Sequence, residues 1–309
     1  MTLIPFKIGK TTPANTFLAI WVARAAGFYE EQGLDLEIVD MIGGTETGPA
    51  LSSGKVHLMH IGMSSVVRAN AQGANVTTIG SLSNIVRSAM FLSPSVKDAN
   101  DLKGKNVGIS STGSESDLTT TLALKKLGLN RTDITIKQVG VERLAPLLDG
   151  TVQATMLGEP HRSKAISLGL SPIMDLFADQ IPWLYTGLVV DQVYLENNFA
   201  PVKQFMKATV EGNYLAISNP RQAKAVLADE LGLTDANVIE TSYENFRKLT
   251  PPNANMTRKG AENILAAIDM TGDFPGASSN LDDHMDSSVF DALKADGFFK
   301  DMERKYNVS

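Results

Sequence analysis

GKVHLMHIGMSS (residues 54–65) and GTVQATMLGEPH (150–161) are two versions of one phrase. Each opens on Gly-x-Val, continues as a short apolar run, and closes on small or polar residues, the pattern of a buried strand ending in a turn. Reading outward from each copy gives the same succession. Before the first, residues 6–10 form a strand-like run and 11–16 a polar loop. A helical pattern follows, with Phe17, Ile20, Trp21 and Ala25 at i, i+3, i+4 spacing, and Gly27 and Gly33 bracket its end. Residues 34–39 alternate as a half-buried strand does, a helix is predicted over 46–53 and a strand over 56–62. Before the second copy, 106–109 read as a strand and 110–115 as a polar loop. The next helix carries Leu118, Leu122 and Leu127 and closes at Gly128. Residues 134–139 alternate again, with a helix over 141–149 and a strand over 152–156.

Strand–helix–strand–helix–strand twice over predicts an α/β chain of two lobes, each a mostly parallel sheet flanked by helices. From Phe199 onward the pattern is helical, near 199–218, 220–231, 235–249, 257–269, 282–295 and 297–305, with Pro220, Pro251, Pro252 and Gly272 as breaks. These helices are expected to pack on the first lobe. Two segments, 83–93 and 183–191, are available to carry the chain between lobes. Lobe 1 is therefore expected over 1–86 and 188–309, lobe 2 over 87–187. Two crossings favour a hinged clamshell with its cleft between the lobes.

Composition narrows the function. The 309 residues hold 28 Lys and Arg against 34 Asp and Glu, a net charge of −6. That balance argues against a nucleic-acid binder, whose affinity rests on neutralising phosphates. There is no cysteine, which excludes disulfides, thiolate nucleophiles and iron–sulfur clusters. The four histidines make a His-rich metal site unexpected, and His57 and His60, three apart on a strand, point to opposite faces. They are read as packing residues. No cofactor and no metal is expected. No apolar run reaches the roughly 18 residues of a membrane span. MTLIPFKIGK lacks a charged segment followed by an apolar one, so a signal peptide has been trimmed, or the protein is cytoplasmic if Met1 is native.

Open α/β sheets bind ligands at the carboxyl ends of their strands, which selects the loops 11–16, 62–65, 110–116 and 157–161. Ser111, Thr112, Gly113 and Ser114 open a helix, where free N–H groups and the dipole attract an anion. The alternative is a capping box, Thr112-x-x-Glu115, and Glu115 or Asp117 would repel an anion if turned inward. Thr11, Thr12, Asn15 and Thr16 offer hydroxyls and an amide to a ligand, or Thr12 or Asn15 an N-cap. Met63, Ser64 and Ser65 follow a strand and open a helix in the same way. Glu159 accepts from an amine or amide, or is a helix-start carboxylate. His161 beside it is either a ligand contact or a packing residue. Trp183 and Tyr185 are candidate aromatic walls, or core. Arg87, in the outgoing crossing, is the first choice for a carboxylate or sulfonate clamp through its planar fork, with a plain surface arginine as alternative. No Ser–His–Asp order, phosphate-binding glycine loop or HExxH motif is present.

ARAAGFYEEQGLDLEIV (23–39), SSGKVHLMHIG (52–62), DLKGKNVGISSTGS (101–114), LLDGTVQATMLGEP (147–160) and FMKATVEGNYLAISNPRQAKAVLADELGL (205–233) stand in this order along the chain. In that order they resemble the bacterial periplasmic solute-binding proteins of the sulfonate/nitrate/taurine and thiamine-precursor (NMT1/THI5-like) group. The resemblance implies a two-lobed type II periplasmic-binding-protein fold and a periplasmic or cell-surface monomer. It implies the substrate-binding component of an ABC importer, with a small organic anion (a sulfonate, a carboxylate, or an aromatic or heterocyclic compound) as ligand and a membrane permease as partner. The chain departs from the group where its usual Asp after Gly-x-Val is His57 in one copy and Gln153 in the other, a change expected to be structural. Loop 11–16 also lacks a basic residue. An enzyme on the same fold, of aromatic-acid decarboxylase or menaquinone- or thiamine-pathway type, is the alternative; the thiamine-pyrimidine synthase would need a cysteine cluster. A regulator's effector domain ranks last, since no DNA-binding module is evident.

Overall fold

The computed structural model describes residues 2–11, 14–41, 44–272 and 274–308. The chain runs β1 (Ile4–Lys10), α1 (Leu18–Ala25), α2 (Phe28–Glu31), β2 (Leu34–Asp40), α3 (Thr47–Ser52), β3 (Leu58–Ile61), α4 (Met63–Ala71) and β4 (Val76–Ile85). It then passes to a second sheet with β5 (Ala89–Leu92), β6 (Asn106–Ile109), α5 (Glu115–Lys126), β7 (Thr135–Gln138), α6 (Leu144–Leu148), β8 (Ala154–Leu157), α7 (His161–Ser167) and β9 (Pro172–Asp175). It returns as β10 (Pro182–Asp191), followed by α8 (Gln192–Asn197), α9 (Phe199–Ser218), α10 (Pro220–Leu231), α11 (Ala236–Leu249), α12 (Arg258–Thr271), α13 (Ser288–Ala295) and α14 (Phe298–Tyr306).

The sheets have matching orders, β2-β1-β3-β10-β4 and β7-β6-β8-β5-β9. In each, the first three strands are parallel and the fourth is antiparallel to both neighbours. That fourth strand is the one that has just arrived from the other lobe, so both sheets are mixed. The two passages lie side by side, with the Val86 amide donating to the Ile181 carbonyl at 3.0 Å. The return is complete before Trp183: residues 183–191, expected to form the crossing, are strand β10, paired with β3 and β4. Their apolar run, Leu188 to Val190, is buried and belongs in a sheet centre rather than a linker.

The repeated Gly-x-Val has a local cause. Gly54 and Gly150 both take left-handed φ (+70° and +79°), which lets the chain turn sharply into each strand. At the departures, the His57 Nδ1 accepts from the Lys7 amide at 3.0 Å, and the Gln153 Oε1 accepts from the Asn106 amide at 3.1 Å. Different side chains close the same strand start, so the substitutions are structural.

Helix α1 is buried on all sides from Leu18 to Ala23, because α9 and α10 cover the face that faced solvent in the amphipathic reading. Gly212 on α9 makes this possible: a Cβ there would lie 2.4 Å from the Ala19 carbonyl oxygen. Helix α12 contacts β10, α4 and α5, thus both lobes, and its Ala261, Ile264, Ala267 and Ile268 join an apolar cluster that includes Met63 and Val67 of one lobe and Leu118 and Leu124 of the other. No described helix is long and apolar enough to cross a membrane.

Candidate functional site

A cleft opens between the lobes at the carboxyl ends of the strands. Of the residues singled out from sequence, Thr11, Asn15, Thr16, Ser65, Arg87, Ser114, Glu159, His161 and Tyr185 line it. Thr12 lies outside the described residues. Met63, Ser64, Ser111, Thr112, Gly113 and Trp183 do not line it. Met63 and Trp183 are drawn into the apolar cluster behind the cleft. The Ser64 amide is taken by Glu115 Oε1 at 3.1 Å. Thr112 is exposed, and its carbonyl accepts from Arg68 Nη1 at 2.9 Å. A Cβ on Gly113 would strike the Phe274 ring, so that glycine is there for packing. The capping box at Thr112 does not form: Ser114 caps α5 by accepting from the Asp117 amide. Asp117 turns away from the cleft to Arg131 and the Gly113 amide.

Arg87 sits in the outgoing passage, 4% exposed. Its Nη2 donates to Thr250 Oγ1 at 2.8 Å, while Nε and Nη1 are buried without a partner. Burial pulls its pKa down to about 9, which leaves the guanidinium charged at neutral pH. A buried cation with two free donors is costly unless an acceptor arrives. Arg143, half-buried in the loop between β7 and α6, is aimed by its own bonds to the Met156, Gly140 and Val141 carbonyls. Burial lowers its pKa as well. Between them Tyr185 keeps its proton, since burial raises the phenol.

The first lobe adds neutral groups. The His60 ring nitrogen Nε2 and the Thr16 and Thr186 hydroxyls are buried and unpartnered. Burial holds His60 at a pKa of about 4, so its ring is neutral. Sequence parity placed His60 opposite His57 and stopped there; the face opposite His57 is the cleft. His57 stacks on Tyr194. Asn15 is fixed by donating from Nδ2 to the Ser242 carbonyl at 2.7 Å.

The rim carries carboxylates. Glu159 is 7% exposed and engaged: Oε2 accepts from the Ser163 amide at 3.2 Å, and Oε1 from Asn245 across the cleft at 3.1 Å. His161 pairs with Glu142 at 3.2 Å, and burial lowers its pKa below the usual imidazole value. Glu115 reaches from α5 to the other lobe, accepting from the Trp183 indole and the Ser64 amide; burial pushes its pKa up to about 7. Ser110, Ser114 and Ser116 close a triangle of hydroxyls at 2.9, 2.9 and 3.0 Å.

Arg143 and Thr186 were missed from sequence, and His60 was read as packing; Ser110, Glu115 and Ser116 fell within the selected loop 110–116 without being named as ligand contacts. Arg143 follows the carboxyl end of β7, so the strand-end rule would have found it had loop 139–143 been included. Among the described residues no group of three or more His, Asp or Glu could hold a metal ion.

Residues 14–223 match the model of the family described as NMT1/THI5 like. YtlA of Bacillus subtilis (strain 168) is 25% identical over 287 residues, covering 89% of this chain and 85% of that protein. The riboflavin-binding protein RibY of Chloroflexus aurantiacus is 26% identical over 68% of this chain and 62% of its own length. The 4-amino-5-hydroxymethyl-2-methylpyrimidine phosphate synthase of Schizosaccharomyces pombe is 26% identical over 44% of this chain and 39% of its own. Among solved structures, the periplasmic aliphatic sulphonate binding protein SsuA of Escherichia coli superposes with a TM-score of 0.72 at 21% identity, covering 91% of both chains. The periplasmic nitrate-binding protein NrtA of Synechocystis PCC 6803 gives 0.77 at 15% identity, over 95% of this chain and 89% of its own. The fold is the two-lobed periplasmic-binding-protein fold.

Proposed function

The chain belongs to the NMT1/THI5-like family, and on that premise we propose that it captures a small organic anion between its lobes as the monomeric binding component of an ABC importer outside the cytoplasmic membrane. The observation that carries this reading is Arg87, which lines the cleft and whose charged guanidinium keeps Nε and Nη1 buried and without acceptors. Arg143, Tyr185 and the free hydroxyls of Thr16 and Thr186 supply further donors around it. A carboxylate or sulfonate satisfies a guanidinium edge with two parallel bonds, and each charged hydrogen bond contributes about 1.5–3 kcal/mol. The neighbours' ligands, a sulfonate and nitrate by their names, are anions of the same sort.

The test is native mass spectrometry after incubation with pooled alkanesulfonates, aromatic carboxylates, nitrate and bicarbonate. One ligand retained unaltered at one-to-one, and lost or weakened about 100-fold in Arg87→Met, is the expected result. Retention unchanged in Arg87→Met would sink the assignment. A new product mass would favour catalysis, as in the synthase relatives, over transport.

A further inference from the structure

Open helix ends at the mouths of two facing lobes are the ordinary places for an anion, and in this chain one is already taken. Helix α4 begins at Met63, at the cleft. Its Ser64 amide donates to Glu115 Oε1 at 3.1 Å, and the carboxylate's other oxygen accepts from Trp183. Glu115 comes from the other lobe. The approach is close: a Cβ on Gly62 would lie 2.1 Å from Glu115 Oε1, so only glycine leaves room for the carboxylate. At the same helix end the Ser64 side chain is fully buried.

We propose that Glu115 is a specificity-determining residue: its carboxylate fills the amino end of α4 as an internal anion and confines a ligand's anionic head to the Arg87 side of the cleft. This rests on the anion-binding reading above and deepens it. A ligand with one anionic head and a neutral or donor-bearing far end is accepted. One presenting a second anion toward α4 meets a like charge in a poorly solvated site. A carboxylate accepts about four hydrogen bonds; Glu115 receives one on each oxygen from the first lobe, and its remaining acceptor capacity suits a ligand N–H or O–H.

The surroundings leave Glu115 as the group that changes charge near neutrality. Arg68 on α4 donates to the Thr112 carbonyl, and its Nη2 is buried without a partner. Arg87, Arg143, Glu159 and Tyr185 share the cleft. His60 and His161 are both held below the usual imidazole value, by burial first. Helix α12, packed on α4 and α5, adds the apolar residues Ala261, Ile264, Ala267 and Ile268 to the cluster shared by the lobes.

The test uses 15N-labelled full-length protein and sodium sulfate as the probe, read at the Ser64 and Ser65 amides and the Trp183 indole. At pH 8 sulfate leaves the Ser64 amide of the wild type in place. Glu115→Ala vacates the helix end, and sulfate then shifts Ser64 saturably, with affinity about tenfold above any seen in the wild type. Glu115→Gln, which keeps the bulk and removes the charge, lies between the two. The wild type at pH 5.5, below the Glu115 pKa of about 7, follows the Gln variant. Wild-type and Glu115→Ala affinities that agree at pH 8, or a Ser64 amide that stays still in both variants, overturn the proposal. Shifts at the Ser64 amide report on the α4 end, whatever sulfate also binds beside Arg87. Failure of the Arg87→Met test with these outcomes intact therefore breaks the anion-import reading and spares the role of Glu115.

Discussion

The two lobes share a sheet order and a strand-start hydrogen bond, yet they bring opposite chemistry to the cleft. The second lobe and the passage into it supply the charges: Arg143, Arg87 and Glu115. The first supplies neutral groups, the Thr16 and Thr186 hydroxyls and the uncharged His60. The covering differs too. In the first lobe α9 and α10 bury α1 all round, whereas the second lobe relies on shorter helices, on α12 shared with the first, and on an ion pair between Arg131 and the buried Asp117. The lobes have in common what makes a strand start and stop. They differ in what faces the cleft, because loop residues vary more freely than residues that close a sheet.

Arg131→Leu presses hardest on this contrast. It strands the fully buried Asp117 carboxylate, and the second lobe should lose about 3 kcal/mol in urea unfolding while first-lobe amides keep their exchange protection. Equal losses in both lobes would mean the molecule unfolds as one unit. Gly212→Ala is the counterpart in the first lobe. Its methyl meets the Ala19 carbonyl at 2.4 Å, and overpacking α1 against α9 should lower stability by about 2 kcal/mol. A shared strand start predicts matched small effects: His57→Ala and Gln153→Ala should each cost about 1 kcal/mol, with aspartate at either position recovering most of it.

The smallest net effect is on pH dependence, where the lobes oppose each other. His60 has its folded pKa lowered to about 4, so its contribution is full above about 6.5 and lost as pH falls toward 4. Glu115 has its folded pKa raised to about 7, so its contribution is full below about 4.5 and lost as pH rises through 7. Urea midpoints at pH 5 and pH 7 should differ little in the wild type. They should fall on acidification in Glu115→Gln and rise on acidification in His60→Gln. Slopes of one sign in both variants would remove the opposition.

Most of the fold was legible because its evidence is local. Gly54 and Gly150 demand a left-handed turn, Val56 and Val152 bury themselves, and the pattern repeats. The helices beyond Phe199 were legible by period and by proline, except that the one expected over 282–295 forms only from Ser288 to Ala295, after a short turn at Leu281–Asp283. The cleft was half legible. Strand-end loops pointed to Thr11, Asn15, Thr16, Ser65, Ser114 and Glu159, since position along a sheet follows from strand order. Side-chain direction does not. Trp183 and Tyr185 are two apart on β10, yet Trp183 joins the core and Tyr185 lines the cleft, because the register of β10 against β4 shifts between Pro182 and Thr186. Glu115 was read as a capping residue of its own helix or as a carboxylate that would repel an anion if turned inward. Its partners are Ser64 and Trp183, and no pattern local to the α5 start shows that the other lobe lies within reach.

The exchange of antiparallel strands orders events during synthesis on the ribosome. The second sheet is drawn from one uninterrupted stretch, β5 through β9, and all its strands have been translated once Asp175 is added. The first sheet lacks a central strand until β10 follows, and α9, which seals α1, is translated later still. The half of the molecule made first is therefore the half finished last. Until Asp191 emerges, the nascent first lobe exposes the edges of β3 and β4 on either side of an empty slot, and a chaperone would have its longest engagement there.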